Sequence, residues 1–199
     1  YNIHTLDKTG VGGGVTARVR IAHALAREGH RVKMFVNCPS NELISNVSYE
    51  HFSKIDLVDT DIFIATTSGG EMDLSGILNK KINARLKILF IHGEPEPIGY
   101  NDLSFDYIYS PSNFIARSVA TRWGIDANHL FVTHHGIAEE LFSEGKILKP
   151  VRNEFRLVYA GHPSKGLNAA IEILRSLRAS DTRFSLEIFG GNELWGQKE

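Results

Sequence analysis

Residues 10–36 read GVGGGVTARVRIAHALAREGHRVKMFV, and this stretch decides the fold. It begins with a glycine-rich loop, continues with a segment of helical spacing from about residue 15 to residue 28, and ends with the β-rich run 31–36. Gly29 is predicted to end the helix, because glycine adopts the left-handed conformation at low cost. The stretch therefore predicts a glycine turn, a helix and a strand, which form one unit of an α/β protein.

The same alternation continues along the chain. Ser112 is predicted to cap a helix that reaches Trp123 and is closed by Gly124. Short strands that alternate with longer helices are typical of βαβ units, so the predicted fold class is α/β with a Rossmann-like parallel sheet. The further β-rich runs of this part of the chain are residues 61–65, 87–91, 107–109 and 130–132.

The two ends of the chain carry further elements of the same kind. Tyr1-Asn2-Ile3 is an apolar run, which we expect to be the end of a first strand that begins before residue 1. Residues 143–154 are polar and lack a sustained period, as is typical of a linker. Beyond them the sequence predicts a strand, a turn, an apolar helical stripe and another strand, at residues 155–160, 161–166, 167–177 and 184–189.

This order of elements predicts two domains. We expect an N-terminal Rossmann-like domain over residues 1–148, a linker over residues 149–154, and the start of a second Rossmann-like domain over residues 155–199. Only about 45 residues follow the linker, whereas a doubly wound domain needs roughly 100. The second domain is therefore expected to be incomplete in these 199 residues.

Composition argues against several classes of protein. The formal net charge is -1, whereas proteins that bind nucleic acid usually carry a basic stripe or a strongly positive charge. Cys38 is the only cysteine, so no internal disulfide can form, and no apolar run approaches the roughly 20 residues that span a bilayer. We therefore predict a cytoplasmic protein that binds no nucleic acid and contacts a membrane at most peripherally.

The glycine loop is the first candidate site. Backbone N–H groups of Gly12, Gly13 and Gly14 would approach a phosphate at the positive end of the helix. A tight turn that needs positive φ explains the glycines equally well. Gly12, Gly14 and Ala17 also satisfy the dinucleotide pattern G-x-G-x-x-A, but a polar insert at residues 7–9 precedes the glycines and no acidic residue ends the second strand. No dinucleotide cofactor is therefore predicted.

Histidines and carboxylates supply the other candidates. His92 follows a strand predicted to be central, at the carboxyl edge where open α/β sheets bind ligands, although a hydrogen-bonded structural histidine is the alternative. Glu94 is kept as a candidate ligand contact, whereas Glu96 in the same proline-rich loop is interpreted as a solvated charge. The chain has nine histidines, but the adjacent pair His134-His135 lacks metal-ligand spacing, so no metal site is predicted.

Several segments resemble, in the same order, the landmarks of the family 4 (group 1) glycosyltransferases, which are retaining enzymes of GT-B architecture. Residues 25–32 resemble the end of that family's first helix and the start of its second strand, after a glycine loop of the same kind. The other matching segments are Ile91-His92, Ser110-Pro111-Ser112-Asn113-Phe114, FVTHHGI at residues 131–137 and LVYAGHPSKG at residues 157–166.

The resemblance implies transfer of a glycosyl group from a nucleotide-diphosphate sugar to a carbohydrate, lipid-linked or other acceptor, with retention, in a cleft between two domains and without a metal or other cofactor. It implies that His92 and Lys165 are catalytic and that Gly12, Gly13, Gly14, His162, Lys165 and Gly166 contact the donor and its phosphates. Glu94 and Ser112 are implied as acceptor or sugar contacts, and Gly99-Tyr100 and the loop after Thr66 as part of the acceptor site.

The chain departs from the family pattern at the second-domain turn. His162 stands where the family has arginine, the turn to Lys165 is shorter than usual, and the family's glutamate pair would lie beyond Glu199. A non-catalytic GT-B-like binding module therefore stays open as an alternative, as does a GT-B-like epimerase or inverting transferase. The 199-residue chain alone is expected to be inactive, because the donor-binding domain is incomplete.

Overall fold

The computed structural model describes residues 1–8, 11–67, 73–137 and 154–191. The chain divides into two compact units, Tyr1–Gly136 and Ile137–Glu199. Of the linker predicted at residues 149–154, only Glu154 lies within the described residues, so the predicted domain limits stay predictions.

The first unit alternates helices and strands. None of the helices in the described ranges combines the length and the apolar character that crossing a bilayer requires. In chain order the elements are α1 (Thr5–Lys8), α2 (Gly13–Arg27), β1 (Val32–Val36), β2 (Glu42–Ile44), β3 (Val47–His51), β4 (Leu57–Thr66), α3 (Ser75–Leu78), β5 (Lys81–Phe90), β6 (Tyr107–Ser110), α4 (Asn113–Trp123) and β7 (Leu130–Val132).

The main sheet of the first unit has four strands in the order β4-β5-β6-β7, and every neighbouring pair is parallel. Ile88 in β5 lies opposite Ile64 in β4 and Tyr107 in β6, which fixes the register of the three strands. The α/β class and the parallel sheet predicted from the sequence are therefore confirmed, and the sheet is compatible with a Rossmann-like arrangement.

A second sheet has the order β1-β3-β2 and contains a hairpin that the sequence did not predict. β1 and β3 are parallel, whereas β2 and β3 are antiparallel and are joined by a two-residue turn between Ile44 and Val47. Ser45 and Asn46, the turn residues, both have positive φ, at 47° and 65°. Such a turn usually carries Asn-Gly or Asp-Gly, so Ser-Asn gave no recognisable signal.

The predicted strand at residues 1–3 is wrong. Tyr1 and Asn2 are irregular, and Ile3 begins a turn that leads into α1. The N–H of Asn2 donates to the Thr5 hydroxyl at 3.0 Å, and the Thr5 N–H donates to the Asn2 carbonyl at 3.1 Å. These local bonds use the backbone groups that a strand would need for its neighbours, because asparagine and threonine compete readily for nearby backbone groups.

The α2 helix forms because its apolar residues recur at helical spacing. Val19, Ala22 and Ala26 are buried and pack against Met34 of β1 and Tyr49 of β3. The helix ends before Gly29, whose φ of 91° confirms the predicted left-handed stop. This packing holds the glycine-rich start of α2 in a defined position.

One polar pair is buried in that core. Nε2 of His23 lies 2.8 Å from the Tyr49 hydroxyl, and Tyr49 is fully buried. Burial, together with the charges of Arg27 and His4, lowers the pKa of His23, and burial raises the pKa of Tyr49 to about 12. Both groups are therefore neutral near pH 7 and depend on each other for a hydrogen bond.

The second core cluster lies between the main sheet and α4. Leu89, Ile91, Ile108 and Val119 are at most 2% exposed and form its centre. Ser112 caps α4 by accepting a hydrogen bond from the Ile115 N–H at 3.2 Å, which confirms the predicted cap. This cluster anchors the ends of β5 and β6, from which the candidate site is built.

The second unit is described over residues 154–191. β8 (Arg156–Ala160) and β9 (Ser185–Phe189) are parallel neighbours, and α5 (Leu167–Ser180) connects them. The predicted strand–turn–helix–strand order is confirmed for this segment. The N–H of Gly161 donates to the Phe189 carbonyl at 3.1 Å, which fastens the turn after β8 to the end of β9.

Replacing Tyr49 by phenylalanine tests the buried polar pair. Tyr49→Phe leaves His23 Nε2 without its partner in the core, so we expect the free energy of unfolding of the 199-residue chain to fall by about 1–3 kcal/mol. Urea unfolding followed by circular dichroism at pH 7 measures the change. Tyr109→Phe is the control, since the Tyr109 hydroxyl has no hydrogen-bond partner among the described residues, and equal losses in the two variants would contradict the prediction.

Candidate functional site

Because the four strands of the main sheet are parallel, their carboxyl ends meet at one edge. The strands end at Thr66, Phe90, Ser110 and Val132. The residues that follow these ends include Thr67, His92, Ser112 and His135. We call this region the carboxyl edge, and it is where open α/β sheets bind ligands.

His92 is the most unusual residue of the carboxyl edge. The N–H of Ile91 still donates to the Tyr109 carbonyl at 2.9 Å, and His92 is the next residue. Its ring lies 4.5 Å from the Phe90 ring centroid and stacks on His135 at 5.4 Å, with an interplanar angle of 5°. His92 Nε2 is buried and has no hydrogen-bond partner in the part of the chain that the structure describes, so the alternative of a hydrogen-bonded structural histidine is not supported at this nitrogen.

The environment of His92 keeps its imidazole neutral. Burial, assisted by the nearby charges of His135 and Arg18, lowers the pKa of His92 to about 4. A neutral imidazole has one donor and one acceptor nitrogen, whereas a charged one has two donors. Near pH 7 His92 therefore suits hydrogen bonding to a hydroxyl group better than ion pairing with a phosphate.

Arg18 of α2 was missed by the sequence analysis. Its Nη1 donates to the Tyr1 hydroxyl at 2.7 Å, while its Nε is buried and has no hydrogen-bond partner among the described residues. Its charge is the smallest of the three causes of the lowered pKa of His92. No local motif marks it, because an arginine within a helix is usually a solvated residue.

The glycines at the start of α2 leave open space. Gly12 is the N-cap with φ -62° and ψ 149°, and it has no side chain to accept the first helical N–H groups. None of Gly12, Gly13 and Gly14 has positive φ, so a backbone need for glycine does not explain them. A Cβ atom added to Gly13 would have no neighbour within 4 Å. A ligand could therefore approach these N–H groups, as the sequence predicts.

Glu94 and Ser112 have structural partners at the same edge. The Glu94 carboxylate accepts a hydrogen bond from the Ser118 hydroxyl and lies 3.4 Å from Arg122 Nη1, so it is held against α4. Ser112 uses its hydroxyl as the cap of α4. Their contact with a sugar or acceptor stays a prediction, as does that of Gly99-Tyr100, where the Tyr100 ring packs 5.2 Å from Trp123. Most of the loop after Thr66 lies outside the described residues.

The turn of the second unit contains the other predicted residues. His162 Nδ1 accepts from the Ser164 N–H at 3.2 Å and lies 2.7 Å from the Ser164 hydroxyl. Lys165 is exposed, and Gly166 begins α5 with φ 112°. The structure therefore assigns His162 a capping role within the turn, and its contact with phosphate stays a prediction together with those of Lys165 and Gly166.

The same turn occurs a second time in the chain. His51 ends β3, and Phe52, Ser53 and Lys54 follow it; His51 Nδ1 lies 3.2 Å from the Ser53 nitrogen and 2.7 Å from its hydroxyl. These distances equal those at His162. The pattern His-x-Ser-Lys is thus a local capping turn, and its geometry alone does not specify a phosphate site.

The fold is that of an α/β protein, and at the carboxyl edge of its parallel sheet His92 has a buried nitrogen without a hydrogen-bond partner among the described residues. No protein family, curated protein or solved structure matches the chain. In the described part of the chain, no group of three or more histidine, cysteine, aspartate or glutamate side chains could hold a metal ion. The argument for function therefore rests on the carboxyl edge itself and on the motifs of the sequence.

The lowered pKa of His92 predicts acid sensitivity. The unfolded chain binds a proton at this histidine near pH 6.5, whereas the folded chain binds it only near pH 4, so stability falls as the pH is lowered from 6.5 towards 4. Between pH 7 and pH 5, we expect the free energy of unfolding of His92→Gln to fall by on the order of 1 kcal/mol less than that of the wild type, as measured by urea unfolding. His30→Gln, at an exposed position, should keep the wild-type dependence, and an unchanged dependence in His92→Gln would count against a buried neutral imidazole.

Proposed function

We propose that this chain is part of a GT-B-type glycosyltransferase that moves a sugar from a nucleotide-diphosphate donor to an acceptor with retention of configuration. The observation that carries the proposal is that two buried side-chain atoms, Arg18 Nε on α2 and His92 Nε2 at the carboxyl edge, have no hydrogen-bond partner among the described residues. Unsatisfied buried polar groups are rare in folded proteins and are often satisfied by a ligand. The order of the sequence motifs suggests the family, and the side chains at the carboxyl edge suggest the chemistry.

The two halves of a nucleotide sugar fit different parts of this edge. The uncapped N–H groups at the start of α2 and the charge of Arg18 favour an anion such as a diphosphate. Arg18 lies five residues after Gly13, which is about 7.5 Å along the helix axis. Neutral His92 favours a sugar hydroxyl. A diphosphate joined to a sugar presents both kinds of group at once.

The proposed reaction separates charge. When the bond between the anomeric carbon and the diphosphate oxygen breaks, negative charge collects on the leaving phosphate while the sugar becomes cationic. The N–H groups of Gly13 and Gly14 and the guanidinium of Arg18 would stabilise the leaving group without reorganising. His92 would orient the sugar by hydrogen bonding to a sugar hydroxyl. The acceptor oxygen would form the new bond to the anomeric carbon on the face that the diphosphate leaves, and the acceptor's hydroxyl proton would pass to the leaving phosphate oxygen.

A non-catalytic binding module is the second candidate. It is favoured by one observation, namely that the turn at His162 repeats a capping turn found at His51, so the geometry of this turn is not specific to phosphate. Such a module would bind a nucleotide sugar or nucleoside diphosphate without turnover. Binding and turnover must therefore be measured separately.

Gly13→Ala tests the start of α2. The new methyl group meets no atom of the described residues within 4 Å, and alanine is a better helix former than glycine, so we expect an unchanged or slightly higher melting temperature. The methyl group would occupy the approach to the N–H groups, so affinity for UDP, GDP or ADP should fall about tenfold or more, a loss of about 1.4 kcal/mol. Isothermal titration calorimetry with the 199-residue chain measures each affinity.

Gly76→Ala is the matched control, because Gly76 also lies in a helix and a Cβ atom there would have no neighbour within 4 Å. Its affinity should equal that of the wild type. If no nucleoside diphosphate binds, or if both alanine variants bind like the wild type, the proposed donor site is wrong.

Lys165→Ala tests the second unit in the complete gene product. Loss of a positioned charge beside the leaving phosphate should lower kcat/KM for nucleotide-sugar transfer by about 30- to 1000-fold, or roughly 2–4 kcal/mol. Lys54→Ala is the control, since Lys54 occupies the same position in the equivalent turn. Full activity of Lys165→Ala would remove this lysine from catalysis.

The product of the same assay distinguishes the enzyme classes. A product with the donor's anomeric configuration supports a retaining transferase, whereas an inverted product or an epimerised donor would replace that assignment. Binding of the nucleotide sugar without turnover would favour the binding module.

A further inference from the structure

We propose that His135 is a positioning residue, which holds the ring of His92 in place at the carboxyl edge. The two rings are parallel within 5°, and their centroids are 5.4 Å apart. Nothing in the sequence motifs assigns a role to His135. The contact between the two rings is independent of the proposed function. Only the expected effect of His135 on ligand binding rests on the proposed function.

The contact joins two strands that are not neighbours. His92 follows β5 and His135 follows β7, and β6 lies between these strands in the sheet. Strands separated by one neighbour are roughly 9.5 Å apart, so the two side chains must reach towards each other over the end of β6. Because β6 ends at Ser110, no strand residue continues into this space. The stack therefore joins the segments that follow β5 and β7.

Phe90 provides the other wall of the His92 position. Its ring is 5% exposed, and it lies 4.5 Å from the His92 centroid and 6.2 Å from the His135 centroid. The imidazole of His92 thus contacts an aromatic ring from its own strand and a second ring from the segment after β7. Removal of His135 would open one side of His92 to water and increase its rotational freedom.

The charged groups that face His92 come from two elements. Arg18 lies on α2, and its charge affects the pKa of His92. His135 lies in the segment after β7, and its ring stacks on His92. Phe90, the third neighbour, carries no charge. Burial and the charge of His135 are the two largest causes of the lowered pKa of His92. Removal of His135 weakens both causes, so the pKa of His92 should rise.

The adjacent histidine supplies an internal comparison. His134 is also exposed, but its Nδ1 lies 3.2 Å from the Pro111 carbonyl oxygen, and no ring contact joins it to His92 among the described residues. The two histidines follow the same strand and differ in whether they touch His92. A general effect of changing this segment should appear in both variants, whereas positioning of His92 should depend on His135 alone.

The experiment is a titration of the histidine ring protons of the 199-residue chain by nuclear magnetic resonance. In His135→Ala we expect the pKa of His92 to rise by about one pH unit, because burial and like charge both weaken. In His135→Phe a ring still covers His92, so the rise should be smaller. In His134→Ala the pKa of His92 should equal the wild-type value.

The same variants are then titrated with the nucleoside diphosphate that binds the wild type best and with the corresponding nucleotide sugar. If His92 contacts the sugar, His135→Ala should weaken binding of the nucleotide sugar about tenfold, as loss of an orienting contact does, and should change binding of the nucleoside diphosphate much less. His135→Phe should restore most of the affinity for the nucleotide sugar.

An unchanged pKa of His92 in His135→Ala, or an equal shift in His134→Ala, overturns the positioning role. If the pKa shifts as expected but neither compound binds the wild type, the positioning role is supported and the proposed donor site is wrong. If the pKa shifts and both compounds lose affinity equally in His135→Ala, His92 is positioned by His135 but does not act on the sugar.

Discussion

The parallel pairing of β5 with β4 on one side and β6 on the other is the constraint on which the carboxyl edge depends. Thr67 and Ile91 extend this pairing past the strand ends, since the Thr67 N–H donates to the Phe90 carbonyl and the Ile91 N–H donates to the Tyr109 carbonyl. Both residues are buried, so their N–H groups have no water as an alternative partner. The backbone is therefore fixed up to the residue before His92. A side chain so close to a rigid strand end can keep a buried nitrogen without a hydrogen bond. A side chain on a mobile loop would instead turn that nitrogen towards water.

The sequence predicted most elements whose apolar residues recur regularly. α2 and α4 follow from helical spacing and from Gly29, Ser112 and Gly124, which act locally and are therefore visible in sequence. The predicted β4 and β5 were too short, because their first halves expose polar side chains that pair across the strands. Asn83 donates to Asp59 at 2.7 Å, and Arg85 lies 3.4 Å from Asp61. Such pairs form only once the register is set. In β5, however, Ile82, Ala84 and Leu86 alternate with polar residues, and the sequence analysis missed this strand signal.

The candidate site was predictable in its backbone but not in its side-chain partners. The glycines and His92 are marked by their place between a strand and the next element, which is a property of the local sequence. Arg18 is marked by nothing local, since it lies within a helix, and His135 lies in a matching motif after a strand but contacts His92 only across the sheet. His135 belongs to the candidate site because its ring stacks on His92, and Arg18 because its charge affects the pKa of His92. Sequence reasoning therefore finds the residues that begin a site and misses those that tertiary packing adds.

Burial has different effects on the charge of Arg18 and on that of His92. Both place a nitrogen out of reach of water, but a guanidinium keeps its proton under any ordinary burial, whereas an imidazole loses it. The same environment therefore produces a permanent cation on α2 and a neutral donor–acceptor group after β5. Two lysines in these positions would repel each other, and two histidines would provide no charge for an anion. Because the fixed charge also disfavours protonation of the imidazole, Arg18 helps to keep His92 in its neutral form.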